Sequence, residues 1–240
     1  MRWQPPRPIS TTSRVSSSDV TGNDSRRAFL GRVGQFGVAA ALGGSPLEAE
    51  PADEKAADSP EWDLSWVKKV EKARDRAVID SANIADGFCL QIATRYLDNC
   101  DAVYGVGKHR ALVVLNIRTR AVPLALSDSL WSRYDIGADA QVNDPLTKQP
   151  SRRHLWMTVP EGQPAAIGSM TDIVRRGAII LVCDFALGHL ATRLAQKSGE
   201  TADAVHRTLR AGFVPGAIAM PSGMFGLARA QNAECAVLVA

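Results

Sequence analysis

The chain has 240 residues, 45% hydrophobic and 22% charged, which suits a globular protein with one sizeable core. No stretch approaches the roughly 20 apolar residues of a membrane span. Net charge is +3, but residues 1–50 hold Arg2, Arg7, Arg14, Arg26, Arg27 and Arg32 against Asp19, Asp24, Glu48 and Glu50. The rest is close to neutral and shows no basic stripe, which speaks against a nucleic-acid partner.

Near the start, Ser25-Arg26-Arg27-Ala28-Phe29-Leu30-Gly31 runs into a mild, Gly/Ala-rich apolar stretch, Val33 to Gly44. Arg26, Arg27, Phe29 and Leu30 in this order resemble a twin-arginine export signal. The long polar region of residues 1–24 suits that class, and the apolar stretch is too short and mild for a transmembrane helix. Residues 1–49 read as the signal peptide, with Leu47-Glu48-Ala49 an imperfect cleavage site. Residues 50–60 read as a flexible charged linker. The resemblance implies the twin-arginine translocation machinery as a partner, a periplasmic location and no membrane span in the mature form. That compartment is oxidising, which leaves the redox state of Cys89, Cys100, Cys183 and Cys235 open. The cysteines form no CxxC, and His109, His154, His189 and His206 form no HxxxH or HExxH. No metal site is expected.

Residues 61–240 read as one α/β domain. Trp62 to Asp75 predicts a short helix over an edge of a sheet. Arg76 to Asp80 is a first strand. After Asp86-Gly87 a helix carries Phe88, Ile92 and Tyr96 on one line and Cys89, Ala93 and Leu97 beside it, spaced by four. Cys89 on that face is a small core residue. Gly105-Val106-Gly107 precedes the second strand, Arg110 to Asn116, instead of following a strand and opening a helix. It therefore fails as a dinucleotide fingerprint, and no GxxxxGK[ST] phosphate loop occurs, so no cofactor is expected.

Residues 117–164 are the least regular part and read as an insertion. Within it Ala125 to Tyr134 predicts a helix, with Ser127 near its start and Leu126, Leu130, Trp131 and Tyr134 on one face. A stretch this long reads as a binding element, a lid or an oligomer contact. Ile167, Met170, Ile173 and Val174 mark a helix stopped by Gly177.

In GAIILVCDFALGHL, Gly177 to Leu190, a continuous apolar run gives way at Asp184 to helical spacing. The run predicts a strand buried on both faces, with Cys183 at the strand-to-helix turn. His189, six residues on, is expected on another face of that helix. A helix with Val205 and Leu209 follows, then a strand at Gly216 to Met220. The turn Pro221-Ser222-Gly223 leads into a helix, and Cys235 to Val239 is a fifth strand. The alternation predicts a three-layer α/β fold: a five-stranded, mostly parallel sheet with helices on both faces.

In that arrangement Cys183 shares the carboxyl edge of the sheet with Asp80, Asn116, Ser222 and Gly223, the edge where open α/β folds collect ligands. Helix N-termini there favour anions and lower a thiol's pKa. Cys183 is the candidate catalytic residue; Asp80, Asn116, Ser222 and Gly223 are candidate ligand contacts. Asp184 opposes a thiolate unless its carboxylate turns away from the sulfur.

LVCDFALGHLA and FVPGAIAMPSGMFGLARAQNAECAVLVA carry a further resemblance, to the DsrE-like family of sulfur-handling proteins. The matching features are Cys183, Ala186-Leu187, Pro221-Ser222-Gly223, Ala228 to Asn232 and Ala236 to Val239. VPLALSDSLWSRYDIG and NDPLT resemble an exported subgroup of that family. The resemblance spans roughly Ala77 to Ala240. It implies a flavodoxin-like layout, homo- or hetero-oligomers, a thiol or sulfur-carrier partner, and sulfur carried as persulfide on Cys183. The alternative reading is a non-catalytic, small-ligand-binding or oligomeric assembly module in which Cys183 is a packed apolar residue.

Overall fold

The computed structural model describes residues 62–105, 111–159 and 168–240. The twin-arginine-like segment and the 50–60 linker lie outside the described residues. Five strands form: β1 (Asp75–Ser81), β2 (Ala111–Ile117), β3 (Ile179–Cys183), β4 (Ala217–Met220) and β5 (Ala236–Val239). All four pairings are parallel, in the order β4-β3-β2-β1-β5. The expected three-layer α/β architecture is present. β3 is buried along its whole length, as its unbroken apolar run requires, but the middle strand is β2.

Alternate residues of the strands face two different cores. Val78, Val114, Ile179, Leu181 and Met220 pack with Trp66 and Val70 of α1 (Ser65–Glu71). Ala230 of the helix that follows β4 completes that layer. The first helix thus covers a face of the sheet, not an edge, because Trp66 and Val70 form an apolar pair one turn apart. Ile79, Val113, Leu115, Ile117, Ile180 and Val182 face the opposite and larger core. There α2 (Phe88–Tyr104) buries Cys89, Ala93 and Leu97 and leaves Phe88 48% exposed.

The stretch expected as an insertion is the main departure. A 3-10 turn at Thr119–Ala125 is followed by α3 (Asp128–Arg133) and α4 (Ile136–Ala140). Ala121, Val122, Leu124, Leu126, Trp131 and Ile136 have no exposed surface and belong to the larger core. Trp131 Nε1 donates to the Pro123 carbonyl at 3.1 Å, which settles its one polar atom. From Ala121 to Ile136 this segment is therefore wall, whereas residues 145–150 are exposed. The helix expected over Ala125 to Tyr134 is present as the shorter α3, with Leu126, Leu130, Trp131 and Tyr134 buried, whereas the 3-10 turn around Pro123 has no helical period to mark it. Residues 160–164 of the expected insertion lie outside the described residues.

After α5 (Met170–Arg175), β3 leads into α6 (Asp184–Ser198) and α7 (Ala202–Ala211), and β4 leads into α8 (Gly223–Asn232). Leu187, Leu190, Leu194, Val205 and Leu209 place α6 and α7 in the larger core, whereas Ala230 places α8 in the smaller one. Neighbouring strands β3 and β4 thus send their chains to opposite faces. Such a divergence opens a crevice beyond the carboxyl ends of the two strands.

Candidate functional site

A cleft of about 580 Å³ occupies that crevice, within the size range of small-molecule sites. Cys183, Ser222 and Gly223 line it, together with Arg118, Phe185, Ala186, His189 and Met224. Cys183 ends β3 in an extended conformation and is also the N-cap of α6. Its Sγ accepts a hydrogen bond from the Ala186 backbone N–H at 3.3 Å. A thiol thus fills the role usually taken by a serine or aspartate oxygen. Negative charge on that sulfur meets both a donor and the positive end of a 15-residue helix. Only 5% of Cys183 is exposed, so the sulfur is reached through the cleft.

Asp184 does not crowd the sulfur with charge. Its Oδ1 meets His206 Nε2 at 3.1 Å and Arg210 Nη1 at 3.6 Å, both on α7. The spacing from Cys183 to Asp184 is thereby harmless, because the carboxylate is held toward the neighbouring helix.

Asp80 and Asn116 lie behind the cleft, not on it. Both are at most 6% exposed. Arg118 grips Asp80 bidentately, Nε to Oδ1 at 2.8 Å and Nη2 to Oδ2 at 2.7 Å. Asn116 Nδ2 donates to Asp80 Oδ1 at 2.9 Å and to the Gly223 carbonyl at 3.0 Å. Burial pushes the Asp80 carboxyl up, but the hydrogen bonds from Arg118 and Asn116 and the Arg118 charge outweigh it and hold its pKa down. The hydrogen bond to Asp80 raises Arg118 against the desolvation that would lower it, and the negative charge of a Cys183 thiolate adds to the rise. Asp80 and Asn116 fix the Arg118 cation beside the sulfur and anchor the first turn of α8.

Gly223 is required there. A Cβ at this position would stand 2.5 Å from Arg118 Cβ and 2.9 Å from its Cδ, so the arginine stem occupies the space a side chain would need. Ser222 caps α8, its Oγ accepting from Phe225 N at 3.1 Å. The two helix starts are joined by the Phe185 N–H, which donates to the Pro221 carbonyl at 3.3 Å.

His189, expected on another face of the helix from Cys183, is exposed and stands on the wall of the same cleft. The His189 ring stands edge-on to Phe185, centroids 4.7 Å apart. Phe185 and Met224, 68% and 66% exposed, form an apolar rim. Arg118, Arg120, Phe185 and Met224 were not marked by any sequence motif; the available signal was a basic residue just past a buried strand end.

The other thiols lie elsewhere, and none of the four is in a disulfide. Burial pushes Cys89 up to about 11 and Cys235 up to about 11, and it also raises Cys100. Among the described residues, no three His, Cys, Asp or Glu side chains converge as a metal site would need, and no helix is long and apolar enough to cross a membrane.

No family model matches the chain, and no curated protein matches it. Among solved structures, the chain is similar to a protein of unknown function, MTH1491, from Methanobacterium thermoautotrophicum. The two share 14% identity over 69% of this chain and 99% of that one, with a TM-score of 0.34.

Proposed function

We propose that the protein is a sulfur-relay or thiol-redox protein that carries sulfane sulfur on Cys183. The observation that carries this reading is the placement of Sγ: capped by the Ala186 N–H at a helix start, inside a cleft, with Arg118 beside it. In the loading step the Cys183 thiolate attacks the terminal sulfur of a persulfide donor, R–S–SH. The Cys183 S–S bond forms as the donor S–S bond breaks, and the electron pair leaves on R–S⁻. In the unloading step an acceptor thiolate attacks the outer sulfur and releases Cys183 as thiolate. Each step exchanges one S–S bond for another, so no external oxidant or reductant enters. The resemblance of the Cys183 and Pro221-Ser222-Gly223 segments to DsrE-like sequences supports the reading. The order of Arg26, Arg27, Phe29 and Leu30 supports the further proposal that the protein is exported by the twin-arginine route.

The competing reading, a small-ligand-binding module, is favoured by one observation: the 95% burial implied by the 5% exposure of Cys183. Mass spectrometry after exposure to inorganic polysulfide separates the two. The expected result is one sulfur atom added to Cys183 and none on Cys89, Cys100 or Cys235. In Cys183→Ser the addition disappears while the fold survives, because serine is itself a preferred N-cap. Sulfur found on the other thiols with Cys183 untouched would overturn the proposal.

A further inference from the structure

The cleft at Cys183 does not end at Arg120. A second cleft of about 570 Å³ adjoins it, and Thr119, Arg120 and Arg193 line both. Asn83, Asp86, Asp139 and Gln141 line the second, so it is polar where the first is mostly apolar. The two form one groove across the loops that follow β1, β2 and β3.

The charges along the groove are unequal in availability. Asp139 is neutralised: Arg193 Nη2 reaches it at 2.9 Å and Lys197 Nζ at 3.1 Å. Arg118 is committed to Asp80. Arg120 and Asp86 are exposed, and among the described residues neither side chain has an ion-pair partner. The groove floor is built rather than loose. Arg118 N–H donates to the Ser81 carbonyl at 3.0 Å and Arg120 N–H to the Ala82 carbonyl at 2.9 Å. Between them Thr119 sits at φ 53, a left-handed conformation costly for a β-branched residue and held at functional sites more often than elsewhere.

Resting on the sulfur-carrier reading, we infer that the small molecule exchanging sulfur with Cys183 is a zwitterionic amino-acid or short-peptide thiol, which donates as its persulfide R–S–SH and accepts as its thiolate. Its sulfur enters the apolar cleft, a carboxylate meets Arg120, and an ammonium group meets Asp86 in the second cleft. An arginine suits a carboxylate through two parallel hydrogen bonds. Asn83 and Gln141 supply neutral donors and acceptors for the peptide groups between. Inorganic polysulfide, an anion without an ammonium group, makes no use of Asp86.

The probe is S-methylglutathione, a zwitterionic peptide thioether that cannot exchange sulfur, titrated calorimetrically into the full chain. Binding is expected for the unaltered protein, weakened about ten-fold by Arg120→Gln and similarly by Asp86→Asn, as for loss of one charge-assisted contact. Both residues are exposed, so circular dichroism should show the fold intact. No binding, or equal binding by all three proteins, overturns the inference. Sulfur loading of Cys183 by inorganic polysulfide is read on the same samples. Loading without S-methylglutathione binding removes this ligand class and leaves the sulfur-carrier reading standing. Binding without loading removes the carrier reading and leaves the ligand class.

Discussion

Cys183 and Met220 are register partners on neighbouring parallel strands, yet the chains leaving them turn to opposite faces of the sheet. The cleft exists because of that divergence, and its chemistry follows from what the chain places at the two exits. On one side a thiol caps α6; on the other, Ser222 caps α8 and Gly223 gives way to Arg118.

The Gly223 contact gives a sharp prediction. Gly223→Ala forces a Cβ into the Arg118 stem at 2.5 Å, so either the arginine leaves Asp80 or the start of α8 shifts. A loss of about 1–3 kcal/mol in denaturant unfolding is expected, with slower alkylation of Cys183. Gly188→Ala is the control. A Cβ at Gly188 meets nothing within 4 Å, and alanine in mid-helix should stabilise by up to about 1 kcal/mol.

Asp80→Asn keeps the shape of the buried side chain but removes the charge that Arg118 grips. Arg118 retains 29% side-chain exposure, so water recovers part of the loss, and a cost of about 1–3 kcal/mol is expected. The pH dependence should change with it. The Asp80 carboxyl has its pKa lowered from 3.8 on folding. Its contribution is therefore complete above pH 3.8 and is lost as pH falls through the folded value. The wild type should therefore lose stability as pH falls below 3.8, where an unpaired carboxyl would contribute no pH dependence, and this component should vanish in Asp80→Asn. Identical acid transitions in the two proteins would refute the assignment.

The architecture was legible because it is written in periodicity. Ile179 to Val182 form an unbroken apolar run, and Leu187, Leu190 and Leu194 follow at helical spacing, so strand, turn and helix could be read directly. The position of Cys183 followed from the same change of period. Of the wall built by Ala121 to Ile136, the helix that buries Leu130, Trp131 and Tyr134 was readable; the 3-10 turn at Thr119–Ala125 and the five-residue α4 were not, since neither has a sustained period to detect. Nor were the roles of Asp80 and Asn116. Their placement at strand ends was readable, but whether a polar side chain there meets a ligand or a neighbouring arginine depends on Arg118, two residues beyond the strand partner of Asp80.

His154 supplies a pH test in the larger core. It is 5% exposed; Nε2 lies 2.9 Å from the Leu124 carbonyl, and Nδ1 accepts from Trp156 N–H at 3.2 Å. One nitrogen therefore donates and the other accepts, which requires the neutral ring. Burial lowers its pKa from 6.5, against the opposing backbone hydrogen bonds and Asp128. Because the folded value is depressed, stability is complete above 6.5. It declines as pH falls from there toward the folded value, since the unfolded chain takes up a proton first. The decline should stay below the one-proton limit of about 1.4 kcal/mol per pH unit. His154→Gln, which can keep the bond to Leu124, should flatten that part of the profile in urea titrations.

The pairing of Asp184 with α7 makes the last prediction, and it bears on the thiol directly. Asp184 follows Cys183 in sequence, and a free carboxylate there would oppose charge on Sγ. His206 and Arg210 hold it away and offset its charge. Replacing both, as His206→Gln with Arg210→Gln, releases the carboxylate without touching the cleft lining or the Ala186 N–H. A released carboxylate opposes negative charge on Sγ, so the rate of Cys183 alkylation by iodoacetamide near neutral pH should fall several-fold. An unchanged rate would mean that Asp184 exerts no field on the sulfur. Adding Asp184→Asn to the double variant should restore the original rate, since the released charge is then gone, and a rate that stays low would mean that access to the sulfur had been lost.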